Sequence, residues 1–290
     1  MQLSQSLPRI LAVSGVAAML AFSGALAQTK GSSTEQDKGA KTEFQPTVGQ
    51  SGKDVVWVPT PQALVERMLD MARVTKDDFV TDLGSGDGRT VITAAKRGVR
   101  AKGIEYNPDM VELSKRNAAK EGVGDKVELV RGDIFESDFS DATVITLFLL
   151  PSLNQRLRPT ILNMKPGTRV VSNTFDMGDW QADEQIQATG DCTSYCRAYF
   201  WMVPAKIQGK WKTPDGELTL DQRYQMLSGQ LSSNNQHAQV QGKVIGDRVV
   251  FTAGRALFDG KVNGDTIEGT LDDSGNKTEL KLTRGEPASK

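Results

Sequence analysis

Asp82, Glu105 and Asp133 each stand at the end of a stretch that reads as a strand, and the first leads into three alternating glycines, Gly84, Gly86 and Gly88, in "DLGSGDGR". A carboxylate at the end of a strand accepts hydrogen bonds from hydroxyl and amino groups. Glycine allows a tight turn and lets backbone approach a ligand where a Cβ would collide. Together they predict a small-molecule site at strand ends. The spacing G-x-G-x-G departs from the dinucleotide fingerprint G-x-G-x-x-G, whose last position is occupied here by Arg89. Asp87 also stands where a pyrophosphate would meet the next helix, and its charge opposes one.

A ligand without phosphate fits these residues better. Glu105 is placed to accept from two ribose hydroxyls. Asp133, in "RGDIF", is placed to meet an adenine amino group. Acidic groups at three strand ends also suit a sulfonium charge. The expected cofactor is S-adenosylmethionine, with Thr60, Asp82, Gly84, Ser85, Gly86, Glu105, Asp133 and Ile134 around it. Each residue has a plainer reading beside this one. Asp82 can cap the next helix, Glu105 can be a surface charge, and Thr60 can cap the helix that Pro61 begins. Their order on three successive strands is what argues for a shared site.

The elements that would position them alternate. "FVTDL", "RAKGIE", "KVELVRGD", "ATVITLFLL" and "TRVVSNTF" read as strands, the fourth buried on both faces. Between them, "RTVITAAKRG", "PDMVELSKRNAAKEG" (capped by Asn107) and "SLNQRLRPTILNM" (disturbed at Pro159) read as helices. "EQIQATGDCTSYCRAYFWMV" reads as a closing hairpin. The expected fold class is α/β: a doubly wound, mostly parallel seven-stranded Rossmann-like sheet with an antiparallel edge, over residues 53–205. After Pro204 the texture becomes short alternating stretches with Gly, Asn and Asp turns. "GKVIGD" at 242–247 returns as "GKVNGD" at 260–265, so residues 206–287 are expected to form a small antiparallel β domain. It carries no cluster of catalytic residue types, and a binding or stabilising role is expected.

The segment 55–204 resembles the class I methyltransferases, in particular the family of the mitochondrial ATP synthase c-subunit lysine methyltransferase and its bacterial relatives. The resemblance rests on "VWVPTP", "DLGSGDGRTVITAAKRG", "GIEYNPDMVELSKRNA", "GDIF", "VITLFLLPSLNQRLRPTILNMKPGTRVVSNTFDMGDW" and "YFWMVPA". It implies protein-lysine N-methylation and a protein-lysine partner. Methyl transfer from a sulfonium needs alignment and a free lone pair on the acceptor. Aromatic walls favour such a cationic acceptor, and Trp57, Phe148, Phe175 and Trp180 are candidates. For Phe148 and Phe175, ordinary core packing is the alternative. Asp176, Asp179 and Trp180 are the expected catalytic residues, the two carboxylates steering the acceptor or relaying its proton. Solvated loop charges are the alternative for both. A methyltransferase acting on a small molecule or lipid, and a non-catalytic envelope protein retaining the fold, remain the competing readings.

The 35 basic and 36 acidic side chains give a formal charge of −1, which argues against a nucleic-acid partner. The apolar stretch from Ile10 to Ala27 ends in Ala25-Leu26-Ala27, a signal-peptide boundary, so residues 1–27 are expected to be cleaved on export to the periplasm or envelope, an uncleaved membrane anchor being the alternative. No later segment is apolar enough to span a membrane. Residues 28–52 are polar and read as a disordered linker. Cys192 and Cys196 are expected to form a disulfide at the tip of the closing hairpin, as an oxidising compartment permits. Their C-x-x-x-C spacing, with the single His237 far off in sequence, argues against a metal site.

Overall fold

Seven strands assemble one sheet in the order β3 (Val127–Arg131), β2 (Arg100–Glu105), β1 (Phe79–Leu83), β4 (Val144–Leu147), β5 (Arg169–Asn173), β7 (Arg197–Met202) and β6 (Glu184–Gln187). The computed structural model describes residues 43–190 and 192–285. The expected signal segment and residues 28–42 of the expected linker lie outside the described residues. β1 (Phe79–Leu83) is buried at every position and pairs in parallel with both β2 (Arg100–Glu105) and β4 (Val144–Leu147). β3 (Val127–Arg131) and β5 (Arg169–Asn173) extend the parallel part on either side. β7 (Arg197–Met202) runs antiparallel to β5 and to the edge strand β6 (Glu184–Gln187). Because the order reverses between β1 and β4, the carboxyl ends of these strands part around a crevice, the usual place for a ligand in such sheets.

The helices follow from local chemistry. In α1 (Gln62–Met71), Leu64, Val65, Met68 and Leu69 make the buried stripe. α2 (Arg89–Lys96) starts from Gly88 in the left-handed region, φ 82°. α3 (Pro108–Lys120) has Pro108 in its first turn, and the Asn107 side chain accepts from Asp109 N at 2.9 Å. α4 (Pro151–Ile161) carries Pro159, which cannot donate to the helix ladder, and ends within a turn of it.

Three local expectations are corrected. Thr60 does not cap α1: the cap is Pro61, without a side-chain hydrogen bond. The apolar run "ATVITLFLL" leaves the sheet after Leu147, because α4 begins at Pro151 and Phe148–Leu150 must turn towards it. Residues 43–52, expected within the linker, instead contribute to a short hairpin. Ser51 bridges Val56, Gly49 N donates to Trp57 O at 2.8 Å, and Trp57 N donates to Gln50 O at 2.9 Å. Polar side chains do not preclude structure when backbone groups find partners.

Beyond the sheet, β8 (Gly209–Thr213), β9 (Gly216–Arg223), β10 (Met226–Ser233), β11 (Gln236–Ile245), β12 (Arg248–Ala253), β13 (Ala256–Asn263), β14 (Thr266–Asp273) and β15 (Asn276–Arg284) close into an antiparallel barrel. Each strand is joined to the next by a two-residue turn, and the repeated "GKVIGD" and "GKVNGD" supply Gly246-Asp247 and Gly264-Asp265. Alternate side chains fill the centre, among them Trp211, Leu220, Val244, Ile267 and the stacked pair Phe251 and Phe258, 4.8 Å between ring centroids. Among the described residues no helix is long and apolar enough to cross a membrane.

Candidate active site

A cavity of about 540 Å³ opens at the carboxyl ends of β1, β2 and β4. Thr60, Asp82, Gly84, Ser85, Gly86, Glu105, Asp133 and Ile134 all line it, so the residues expected as a cofactor set converge on one space. Glu105 closes β2 with both carboxylate oxygens held: Oε2 accepts from Gly86 N and Oε1 from Asn107 N, each at 2.9 Å. Two backbone donors fix the carboxylate's plane while leaving lone pairs free for a ligand diol. Gly86 lies at φ 54°, and a Cβ there would come within 2.8 Å of Trp57 Nε1. The turn is therefore shaped so that only bare backbone fits beneath Trp57.

Asp82 is buried, and that burial raises its pKa to about 7. The hydroxyl of Thr146, donating to Oδ1 at 2.6 Å, opposes this; the charges of Asp87 and Glu105 reinforce it. Asp133, beyond β3, is held below the usual carboxylate range, first by its hydrogen bond from Lys53 Nζ and then by Phe135 N at 3.0 Å. Ser85 turns its hydroxyl beneath the loop, where a Cβ on Gly103 would meet it at 2.6 Å. Its place at the cavity is thus a matter of backbone more than of hydroxyl chemistry. Thr60 is buried, and its Oγ1 accepts from Asn173 Nδ2 at 3.3 Å.

At the far side of the cavity stand Phe148 and Phe175, their rings stacked with centroids 6.3 Å apart, and Tyr195, edge-on to Phe148 at 5.3 Å. Phe175 follows Thr174, a β-branched residue at φ 63°. Such a residue holds a left-handed conformation only when its surroundings impose it. Here they do: Thr174 N donates to Arg197 O at 2.7 Å and its hydroxyl to Asn173 Oδ1 at 2.8 Å. Buried Asn154 completes the brace by donating from Nδ2 to the carbonyls of Phe175 and Asp176, at 3.2 and 3.1 Å.

The three residues expected to be catalytic are not brought to the cavity. Asp176 is exposed and spends Oδ1 on Gly178 N at 3.0 Å, closing its own turn. Asp179 is ion-paired to Arg158 and Arg223 and accepts from Tyr224 Oη at 3.0 Å. Those hydrogen bonds, from Arg223 first, hold its carboxyl well below the usual range. Trp180 is fully buried between Trp201 and Tyr224, with centroid separations of 6.0 and 6.1 Å. Asp179 and Trp180 serve the junction between sheet and barrel, and Asp176 serves its own loop. The cations that claim Asp179 lie on α4 and at the end of β9, distances that a local reading of the sequence does not span.

Three further residues lining the cavity, and Asn173 bonded to Thr60 behind it, are missing from the set read in the sequence. Lys53 pairs with Asp133 and lies 4.8 Å from the ring centre of Tyr106, another cavity residue. Asn173, at the end of β5, does carry a signal: a polar residue terminating an apolar strand. Tyr195 sits inside the disulfide loop, where the cysteines on either side are the more conspicuous feature. The Cys192–Cys196 bridge itself is formed, with 5.7 Å between Cα atoms, in the loop joining β6 to β7. Among the described residues no group of His, Cys, Asp or Glu is arranged to hold a metal.

The family model of the ANTKMT methyltransferase domain matches residues 82–184. A protein-lysine N-methyltransferase of Saccharolobus islandicus (strain REY15A) is 46% identical over 136 residues, spanning 46% of this chain and 84% of that protein. The ATP synthase c-subunit lysine N-methyltransferase of Rattus norvegicus is 32% identical over 155 residues, spanning 53% of this chain and 69% of the relative. A crystal structure described as an RNA methyltransferase from Salinibacter ruber in complex with S-adenosyl-L-homocysteine is 50% identical, with a TM-score of 0.49, and covers 52% of this chain and 96% of its own. The matched stretch carries Asp82, Glu105 and Asp133, the carboxylates that converge on the cavity. The chain belongs to the family of S-adenosylmethionine-dependent protein-lysine N-methyltransferases.

Proposed function

We propose that the chain binds S-adenosylmethionine in the cavity at the ends of β1, β2 and β4 and methylates lysine on a protein outside the cytoplasm. The observation that carries this reading is the convergence of Asp82, Glu105 and Asp133 on one cavity whose far side is aromatic. The cavity is of a size that suits a small organic ligand. The backbone-held carboxylate of Glu105 fits a ribose diol. Asp133 suits an amino group, since it already binds the ammonium of Lys53. When bound, S-adenosylmethionine supplies an electrophilic methyl group on sulfur. The protein's task is then to align the acceptor and keep water out. A lysine amine with an ordinary pKa of about 10.4 enters as the ammonium and must lose its proton before it attacks. Phe148 and Phe175 desolvate it, which lowers that value.

The test is transfer of a tritiated methyl group to cell extract separated into protein, lipid and RNA. The expected outcome is label in protein, recovered as methyllysine after hydrolysis. Label confined to lipid or RNA overturns the lysine assignment.

Export is supported by the Ala25-Leu26-Ala27 boundary in the sequence and by the closed Cys192–Cys196 bridge, a pairing that oxidising compartments favour. Cell fractionation with N-terminal sequencing decides it. A periplasmic or envelope chain beginning at Gln28 is expected, and a cytosolic chain still beginning at Met1 overturns export.

A further inference from the structure

We infer that the disulfide loop between Cys192 and Cys196 is an acceptor-positioning device that holds the Tyr195 ring at the cavity, where with Phe148 and Phe175 it receives the alkylammonium of the lysine substrate. The inference rests on the lysine-methyltransferase reading and assigns a specificity-determining residue to it.

Of the loop's residues, Tyr195 is the one that lines the cavity. Tyr195 is 43% exposed, and so is open to an incoming side chain. It meets Phe148 edge-on at 5.3 Å, with an interplanar angle of 61°, and Phe148 stacks in turn on Phe175. Three rings presented together offer π faces to a cation and apolar surface to the methylenes that carry it.

The backbone shows that this position is imposed. Tyr195 adopts φ 53°, a conformation that a bulky residue holds only under external constraint. The constraint comes from both sides. Cys196 is buried and Cys192 half-buried against the core that packs on β7, so the bridge anchors the loop inward. The Cys196 carbonyl accepts from Ala188 N, and the neighbouring Arg197 carbonyl accepts from Thr174 N, both at 2.7 Å. That second bond ties the loop to the residue that aims Phe175. Two strained residues, Thr174 and Tyr195, thus flank the same three rings. Closing so short a loop removes little chain entropy, so the bridge's effect is local rather than a large global stabilisation. Fixing one side chain is a task suited to it.

The test compares wild type with Tyr195→Ala, Tyr195→Phe and the double variant Cys192→Ser/Cys196→Ser. The acceptor probe is envelope protein extract titrated at saturating tritiated-methyl donor, and calorimetry with S-adenosylhomocysteine reports on the cofactor side. Tyr195→Ala is expected to raise the apparent KM for extract protein by about ten-fold, the loss of one cation–π partner. Its kcat and its S-adenosylhomocysteine affinity should each stay within about two-fold, and Tyr195→Phe should restore the KM. The double serine variant should shift KM in the same direction with the cofactor affinity retained. An unchanged KM in Tyr195→Ala, or a loss of cofactor affinity equal to its loss of activity, overturns the inference. Failure of the wild type to label any protein overturns the underlying lysine reading and this inference with it, and is told apart by the wild-type lane alone.

Discussion

Tyr224 donates its hydroxyl to Asp179 Oδ1 at 3.0 Å across the junction between the sheet and the barrel, and its ring covers Trp180. Arg158 and Arg223 complete the contact from the two sides, and Gln225 Nε2 donates to the Gln181 carbonyl at 2.8 Å. The barrel is therefore part of what buries the sheet domain's own tryptophan.

Removing that cover has a predictable cost. Tyr224→Ala takes away a half-buried ring and its bond to Asp179, and should lower stability by roughly 1–2 kcal/mol. Urea unfolding should show a lower midpoint with an unchanged slope. A chain ending at Ala205 exposes Trp180 and should be destabilised further, with red-shifted tryptophan emission. Unaltered stability in both would mean that the barrel is merely attached.

Glu105→Ala should weaken S-adenosylhomocysteine binding by roughly 1.5–3 kcal/mol, through two lost hydrogen bonds to a charged acceptor. Glu105→Gln should lose less, since one oxygen remains to hold Gly86 N or Asn107 N. Calorimetry giving equal affinity for Glu105→Ala and wild type would remove Glu105 from the site.

Asp82 makes stability and binding depend on pH in opposite senses. Its raised pKa, about 7, means that the folded chain keeps a proton which the unfolded chain has released above about 3.9. Stability should therefore fall as pH rises from about 4 to 7 and level off beyond. A cationic ligand favours the charged carboxylate, so binding should release a proton and strengthen as pH rises towards 7, by at most about tenfold per pH unit. Calorimetry at about pH 6.5 in two buffers of different ionisation enthalpy checks this. Identical heats in both buffers would show that Asp82 does not titrate on binding.

Asp78 behaves in the reverse way. Burial pushes its carboxyl up, but Thr75 N and Thr143 Oγ1, each at 2.8 Å, and the Arg169 guanidinium outweigh this and hold it below its usual value. The stability it contributes is present above about 3.9 and lost as pH falls through the lower folded value. Arg169→Met leaves a buried carboxylate without its cation and should cost roughly 3 kcal/mol at neutral pH. That cost should shrink on acidification, when the carboxyl is protonated. Unfolding curves at about pH 7 and pH 3 separate the two cases, and an equal loss at both would point to packing alone.

The cofactor set is legible in the sequence because its members stand at the ends of consecutive strands, where chain order alone predicts convergence. β1 and β2 are legible at their observed limits for a related reason: each is a short segment between two helices that closes at an acidic residue or a glycine turn. The fourth strand reads too long because Phe148, Leu149 and Leu150 are as apolar as the strand before them, and apolarity does not distinguish a sheet residue from a cavity wall. Asp179 and Trp180 mislead because what they do depends on Arg223 and Tyr224, more than forty positions away. Lys53 is hidden because it lies in a polar stretch whose structure comes from backbone pairing and two ion pairs, Lys53 with Asp133 and Glu43 with Arg116, and none of these leaves a hydrophobic pattern.

The barrel carries a seam. Among the described residues its consecutive strands from β9 to β15 pair along six to eight positions each, yet β15 meets β8 at two, Thr283 with Lys212 and Arg284 with Trp211, with Gly285 N donating to Lys210 O at 2.8 Å beyond them. Arg284 gathers the weak edge together, pairing with Asp265, lying 4.4 Å from the ring centre of Trp211 and reaching the carbonyls of Lys206 and Gln208. Its circumference is therefore unequal in how readily it breathes. Amide protons along β10 to β14 should outlast those of β8 and β15 in deuterium exchange, and the cylinder should unzip at one place before it melts as a whole.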